Sequence, residues 1–271
     1  MNKPVVKRFK ISGINSFDLC IQKSENVHTS FGGDIEELHR HDECEIYINL
    51  SGDVSFVVED KIYPITTGSV IITKPNEYHH CILNKASKHK HICIFFSVSK
   101  NEKFFEMFFD REKGEKNLIQ LSYEQVEEVD RKCSAFFNDD LSDLEKIHFF
   151  LNIIDMLKET PKSSIEEYPK NQAVLLAISF INRYYSEKIN VSDIAKAANV
   201  SVNTLERHFK AFLGTTPYNY LKNRRLIKAQ ELLQKGMSVS AVCSKCGFPD
   251  YSHFISLFKQ RFGITPYKYK K

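Results

Sequence analysis

Three side chains able to bind a metal or move a proton fall within one short stretch: His39, His41 and Glu45. They share parity, so on a continuous strand all three point to one face. A third imidazole can come from His79 or His80 if a neighbouring strand carries them. Two imidazoles and a carboxylate converging with that ring have the donor set for a divalent metal ion. The same groups can bind the hydroxyls of a small polar ligand, or satisfy one another in a polar core. His89 and His91, flanked by Lys88 and Lys90, read as a solvated loop running into a strand. The seven cysteines are odd in number and scattered, which argues against a disulfide framework. Cys243 and Cys246 have a suggestive spacing but no second Cys or His pair nearby, and packing is their expected role.

A repeat near the C-terminus carries a second chemistry. Phe209-Lys210, Gly214 and Thr216-Pro217-Tyr218 recur at an offset of 49 as Phe258-Lys259, Gly263 and Thr265-Pro266-Tyr267. Upstream, Ile194-Ala195 and Ala198-Asn199-Val200 recur as Val242-Cys243 and Cys246-Gly247-Phe248. Two copies of one supersecondary unit are implied, and the unit reads as a helix-turn-helix. Asn199 and Gly247 suit the left-handed turn. Ser201 and Asp250 suit the cap of the second helix. With core and caps assigned, Val202, Asn203, Glu206, Arg207 and Lys210 remain on the outer face of the first such helix. Arg reads guanine and Asn reads adenine in the major groove. In the second copy the outer face is Tyr251, Ser252, His253, Ser256 and Lys259. A single copy could be a plain solvated helix in a helical bundle; two in register favour DNA.

Charge divides the chain in the same place. Residues 171–271 hold 16 Lys and Arg against 5 Asp and Glu, a net +11, while residues 1–170 hold 22 against 29, a net −7. A basic module joined to an acidic one fits a nucleic-acid-binding half and a half with another task. No stretch approaches the length of a membrane span, and Met1 to Lys10 is too charged for a signal peptide, so a cytoplasmic location with no membrane is expected.

The elements that must position the histidines are short β-favouring runs between Gly32 and Phe96, separated by Gly52-Asp53, Glu59-Asp60, Gly68 and Pro75-Asn76. Their spacing predicts a small antiparallel barrel or jelly roll. From Asn101 to Thr160 the period turns helical. Phe104-Phe105 and Phe108-Phe109 mark a short helix, and Ser122 with Gln125 opens another as a capping box. A third is expected from about Ser142 to Lys158, with Leu144, Ile147, Leu151, Ile154 and Leu157 in line. Such helices can complete the barrel core or pair with a second subunit. Between the two units of the repeat, Pro217 suits a helix start and Gly236 a stop. At ~1.5 Å per residue such a helix is roughly 27 Å long, enough to place two recognition helices about one DNA turn, ~34 Å, apart. Lys222, Arg224, Arg225 and Lys228 line it.

On these residues the segment from Asn171 to Lys271 resembles the DNA-binding domain of the AraC family of transcription regulators. The match runs through Ser201, Leu205, Arg207, Phe209-Lys210, Gly214, Pro217, Arg225-Leu226, Gly247-Phe248, Asp250, Ser252, Phe254, Phe258-Lys259, Gly263 and Pro266. Where the family usually has Arg in the second recognition helix this chain has Ser256. Gly33, His39-x-His41, Glu45 and Gly52 resemble the first cupin motif, and Gly68, Pro75 and His79-His80 approximate the second, with Glu77 in place of Gly. The resemblance implies an α+β multidomain chain. Residues 1–160 would be a cupin-like β-barrel with two or three helices, for effector binding and dimerisation; 161–170 a linker; and 171–271 an all-α domain of two helix-turn-helix units joined by a long helix.

The function so implied is a ligand-responsive regulator, more an activator than a repressor, and not an enzyme. Its partners would be double-stranded DNA, a small polar effector such as a sugar, a second copy of the chain and RNA polymerase. His39, His41, Glu45 and His79 would hold the effector. No cofactor is expected; a divalent metal, if bound, would use the same residues with His79 or His80. The competing readings are a metal-dependent cupin enzyme with a DNA-binding tail and a regulator whose pocket is vestigial.

Overall fold

The structure is a computed structural model that describes residues 5–14, 17–27, 39–52, 54–59, 61–83, 88–137, 141–161 and 172–270. The expected linker at 161–170 and Gly33 of the first cupin-like motif lie almost wholly outside these residues. The chain divides into two compact units, Met1–Tyr168 and Pro169–Lys271.

The first unit holds nine strands: β1 (Val5–Ile14), β2 (Phe17–Val27), β3 (Cys44–Ser51), β4 (Val54–Val58), β5 (Lys61–Ile65), β6 (Ser69–Thr73), β7 (His79–Leu83), β8 (Lys88–Ser97) and β9 (Leu118–Gln120). They form a six-stranded sheet, β1-β2-β8-β3-β6-β9, and a three-stranded sheet, β5-β4-β7. The barrel read from the sequence is thus a pair of sheets in the manner of a jelly roll, with an isolated bridge from His39, ahead of β3, to His79 of β7.

Strand parity builds two cores from one sheet. On one face, Tyr47, Ile71 and Cys93 meet Val54, Phe56, Val58, Tyr63, Ile65 and Cys81 of the smaller sheet. On the other, Ile46, Ile48, Val70, Ile72, Ile92, Ile94 and Phe96 meet a helical layer. That layer follows a single 3-10 turn at Lys103–Phe105 and consists of α1 (Glu106–Phe109), α2 (Tyr123–Ala135) and α3 (Asp143–Glu159). The capping boxes Ser122/Gln125 and Ser142/Glu145 start α2 and α3. The buried line of α3 is Phe150, Ile153, Ile154 and Leu157. Leu144, expected in that line, is 76% exposed: the stripe is rotated, and its Phe150 packs beside Phe96 with ring centroids 5.0 Å apart. Burying four such side chains contributes about 6–12 kcal/mol at roughly 1.5–3 kcal/mol each, comparable to the whole stability of a domain. The helices therefore complete the core of this unit.

The second unit is helical: α4 (Gln172–Tyr184), α5 (Val191–Ala197), α6 (Val202–Leu213), α7 (Pro217–Gln234), α8 (Val239–Lys245), α9 (Tyr251–Phe262) and α10 (Pro266–Tyr269). Helices α5/α6 and α8/α9 are the two copies of the repeat. Their turns hold Asn199 at φ 55° and Gly247 at φ 74°. Ser201 accepts a hydrogen bond from the Thr204 amide and Asp250 one from the His253 amide, capping α6 and α9. Helix α7 spans 18 residues and packs against both copies.

Candidate effector pocket and nucleic-acid interface

At one edge of the jelly roll the chain enters β3 through His39 and His41, and the bridge to β7 brings His79 alongside. Ring centroids are 4.4 Å apart for His39 and His79 and 5.0 Å for His41 and His79. Nε2 of His41 and of His79 lie 3.1 and 2.8 Å from the same Oε2 of Glu45. Each ring is oriented from behind: Nδ1 of His41 is 3.1 Å from the Glu43 carbonyl, and Nδ1 of His79 is 2.8 Å from the Glu77 carbonyl. A carbonyl only accepts, so Nδ1 of each ring carries a proton. If the rings are neutral, both Nε2 atoms present lone pairs toward a carboxylate. A second proton or a cation between them resolves that conflict.

The electrostatics keep Glu45 ionised. Burial alone would raise the Glu45 carboxyl, but the His79 charge and hydrogen bonds from His41 and His79 outweigh it and hold it well below the usual range. Burial, reinforced by His79, pushes His39 down to about 3. Burial, with His39 and His79, does the same to His80. One donor atom from each of His39, His41, Glu45 and His79 lies within 4.8 Å of the others, a set that fits a divalent ion. Such an ion would supply a positive charge and open coordination positions for a polar ligand.

His79 has its ring in this cluster and His80 does not, since adjacent residues on β7 face opposite ways. Three contributors carried no sequence signal. Phe56 stacks on His79 with centroids 6.0 Å apart, and Phe95 meets His41 edge-on at 5.3 Å. Thr73 pairs with Glu45 across β6 and β3, and its buried hydroxyl has no hydrogen-bond partner among the described residues. His89 and His91 belong to β8 and are not a solvated loop. His89 is buried, and its Nε2 lies 2.6 Å from the Tyr47 hydroxyl. The pairing of β8 with both β2 and β3 extends to Lys88–Lys90 and fixes this inward parity.

In the second unit, Leu205, Phe209 and Leu213 are the buried face of α6, leaving Asn203, Glu206, Arg207 and Lys210 exposed and Val202 half-buried. On α9, Phe254 and Phe258 are buried, and Tyr251, Ser252, His253, Ser256 and Lys259 are exposed. Asn203, Arg207 and Lys210 make no intramolecular polar contact among the described residues. Tyr251 is tied by its hydroxyl to that of Tyr267 at 2.6 Å. Among the connector cations, Arg224 bonds to Asn182 and Arg225 donates to the carbonyls of Tyr185 and Glu187, so both are internal. Lys228 pairs with Glu231 at 2.8 Å. Cys243 and Cys246 are buried, and burial raises both thiols, Cys246 to about 12, in keeping with packing.

A helix-turn-helix domain family matches residues 194–271, and a cupin domain family matches residues 27–95. The transcriptional activator RhaR of Mannheimia succiniciproducens is 26% identical over 240 residues, covering 86% of each chain. The transcriptional activator RhaS of Escherichia coli O139:H28 is 26% identical over 241 residues, 84% of this chain and 85% of its own. A solved transcriptional regulator with an AraC-type DNA-binding domain, from Chromobacterium violaceum, is 35% identical over 36% of this chain and 88% of its own, with a TM-score of 0.35. No helix of the described residues is long and apolar enough to cross a membrane. With a cupin domain followed by a paired helix-turn-helix, in one order over most of its length with these activators, the chain belongs to the AraC family of DNA-binding transcription regulators.

Proposed function

We propose that this regulator is a ligand-responsive activator whose effector occupies the His39, His41, Glu45 and His79 cluster and whose α6 and α9 read DNA. The observation that carries the reading is the convergence of two imidazoles on one buried carboxylate in a unit separate from the DNA-binding one. A neutral, hydroxyl-rich molecule such as a sugar suits it: Glu45 accepts hydrogen bonds from hydroxyls, Thr73 gains a partner, and Phe56 and Phe95 give apolar walls. Activation is supported by the names of RhaR and RhaS. The chain would work in the cytoplasm as a homodimer that contacts RNA polymerase. On the DNA side, Arg207 and Asn203 read bases from α6, with Val202, Glu206 and Lys210 beside them. On α9, Tyr251, Ser252, His253, Ser256 and Lys259 form the smaller contact.

The Nε2 geometry favours one further reading, in which a divalent ion sits among the four donors and the effector binds through it. The same centre would serve a metal-dependent cupin enzyme. A thermal-shift screen of the full chain with neutral monosaccharides, Zn²⁺, Mn²⁺ and Co²⁺ separates these. A ligand at a hundred times its Kd stabilises the folded state by about 2.7 kcal/mol. Stabilisation by a monosaccharide in chelator-treated protein supports the metal-free pocket. Stabilisation only with metal supports the second reading, and turnover of a bound compound would overturn both in favour of the enzyme. Stabilisation by none, with transcription unaffected by substitutions at His41, would mark the pocket as vestigial.

A further inference from the structure

Glu77, where a cupin motif has glycine, holds an ion pair with Arg111 in which both side chains are wholly enclosed. Its carboxylate accepts from Nη1 and Nη2 of Arg111 at 2.8 and 2.7 Å, from the Gly114 amide at 2.6 Å and from the Lys74 amide at 2.9 Å. Those four bonds fill the acceptor capacity of a carboxylate. Arg111 donates onward to the carbonyls of Ile72 and Glu115, and Tyr63 donates to the Gly114 carbonyl at 2.6 Å. The segment 110–117 is thereby folded around one guanidinium. It leads into β9, which pairs with β6, and then to the cap of α2.

Glu77 also acts through its backbone, since its carbonyl is the group that orients Nδ1 of His79. One residue thus touches a pocket imidazole with its main chain and the approach to the helical layer with its side chain. Packing alone does not call for charges here, because an apolar pair of similar volume is commonly as stable as a buried ion pair. What a bidentate pair adds is direction. With its carboxylate held by four bonds, a tilt of the Glu77 peptide strains its side-chain torsions or is passed on to Arg111 and segment 110–117.

We propose that Glu77 and Arg111 are positioning residues of the pocket: the pair fixes the proton and the aim of His79 and couples that ring to segment 110–117. The proposal rests on the pocket reading for its importance to regulation, but its test needs no effector.

The full-length, chelator-treated protein is labelled at histidine nitrogen, and the long-range imidazole spectrum assigns each tautomer. Wild-type His79 is expected to show a proton held on Nδ1 by the Glu77 carbonyl, whether or not Nε2 is also protonated against the Glu45 carboxylate. In the double variant Glu77→Gln/Arg111→Met, which removes both charges and keeps most of the volume, the His79 resonances are expected to move toward the average of two tautomers, with His208 and His253 unchanged. An unaltered His79 pattern in a folded double variant overturns the proposal. From the other side, His79→Ala is expected to speed amide exchange of Gly114 severalfold, and no change there overturns it as well. Should the double variant fail to melt cooperatively, this second arm decides. If both signatures appear while no sugar or metal binds, the effector reading fails and the positioning role stands. If a ligand binds and the signatures are absent, the positioning role alone fails.

Discussion

Replacing Arg207 by alanine tests the assignment of sequence reading to α6. Arg207 is exposed, off the face of α6 that buries Leu205, Phe209 and Leu213, and no intramolecular polar contact holds it among the described residues. Its removal leaves core and caps intact, so the expected change in folding stability is within about 0.5 kcal/mol, as for other exposed sites. Loss of a bidentate contact to guanine costs about 1–3 kcal/mol, which at ~1.4 kcal/mol per decade is about 5- to 140-fold in Kd. Ser256 occupies the matching place on α9 and has no group for such a contact, so Ser256→Ala is expected to weaken binding by at most about twofold, or ~0.5 kcal/mol. The assay begins with selection of preferred sites from a random duplex pool by the full chain. Footprinting titrations at fixed salt then compare the two variants on each half-site. Arg207→Ala should relax base preference in one half-site, with the salt slope reduced by less than about one, because the contact is to a base and not a phosphate. Equal losses from the two substitutions, or a uniform loss over all sequences for Arg207→Ala, would refute the assignment.

The turns of the repeat are alike in conformation but not exchangeable. A Cβ on Gly247 would lie 2.8 Å from the carbonyl oxygens of Tyr185 and Ser186, the first of which accepts from Arg225, so Gly247→Asn should destabilise the second unit by more than about 2 kcal/mol. Asn199→Gly, at a position that already accepts a side chain, should stay within about 1 kcal/mol in the same urea titration followed by circular dichroism. The first unit should lose stability in acid in two stages. His80, normally near 6.5 and held at about 3 by burial, takes up its proton in the unfolded chain first. Stability therefore falls as pH drops below about 6.5, by up to ~1.4 kcal/mol per pH unit for each such histidine. Below the normal carboxylate range near 4.5 the depressed Glu45 adds a loss of the same sign. Unfolding free energies measured from pH 7 to 4 should show the first slope in the wild type and a shallower one in His80→Gln. A flat profile in the wild type would contradict the burial argument.

The helix-turn-helix half was legible because its determinants are local. Caps such as Ser201 and Asp250, the turn residues Asn199 and Gly247, and the buried line through Leu205 and Phe209 lie within a few residues of one another, and the sequence states them twice. The pocket was legible where close spacing sufficed, as for His39, His41 and Glu45, although only Glu45 lies on β3 and the two histidines lie on the approach to it rather than on one continuous strand. It was not where position depends on pairing between distant segments. Thr73 reaches the pocket only through its register with Glu45, and Phe56 only through the facing sheet. Glu77 looked like a departure from a motif because its partner Arg111 is 34 residues away. His89 and His91 looked solvated because their flanking lysines share β8 with them, and the pairing of that strand on both sides was not visible. On α3, Ile154 and Leu157 are buried as expected, while Leu144 is exposed and Phe150 and Ile153 are buried, because the stretch is apolar on more than one face and only the shape of the sheet beneath chooses between them.

The central claim is that a pocket in one unit governs transcription carried out by the other. The most direct measurement is the response of a reporter, driven from a selected site, to inducing conditions in cells carrying wild-type or His41→Ala protein, paired with DNA titrations of both over a range of salt. The account predicts that His41→Ala leaves DNA affinity and its salt slope unchanged, since the Lys and Arg proposed to meet DNA lie in the other unit, and that the reporter no longer responds, since an effector shifts an equilibrium only through differential contacts. A His41→Ala protein that binds DNA as the wild type does and still responds fully would contradict it.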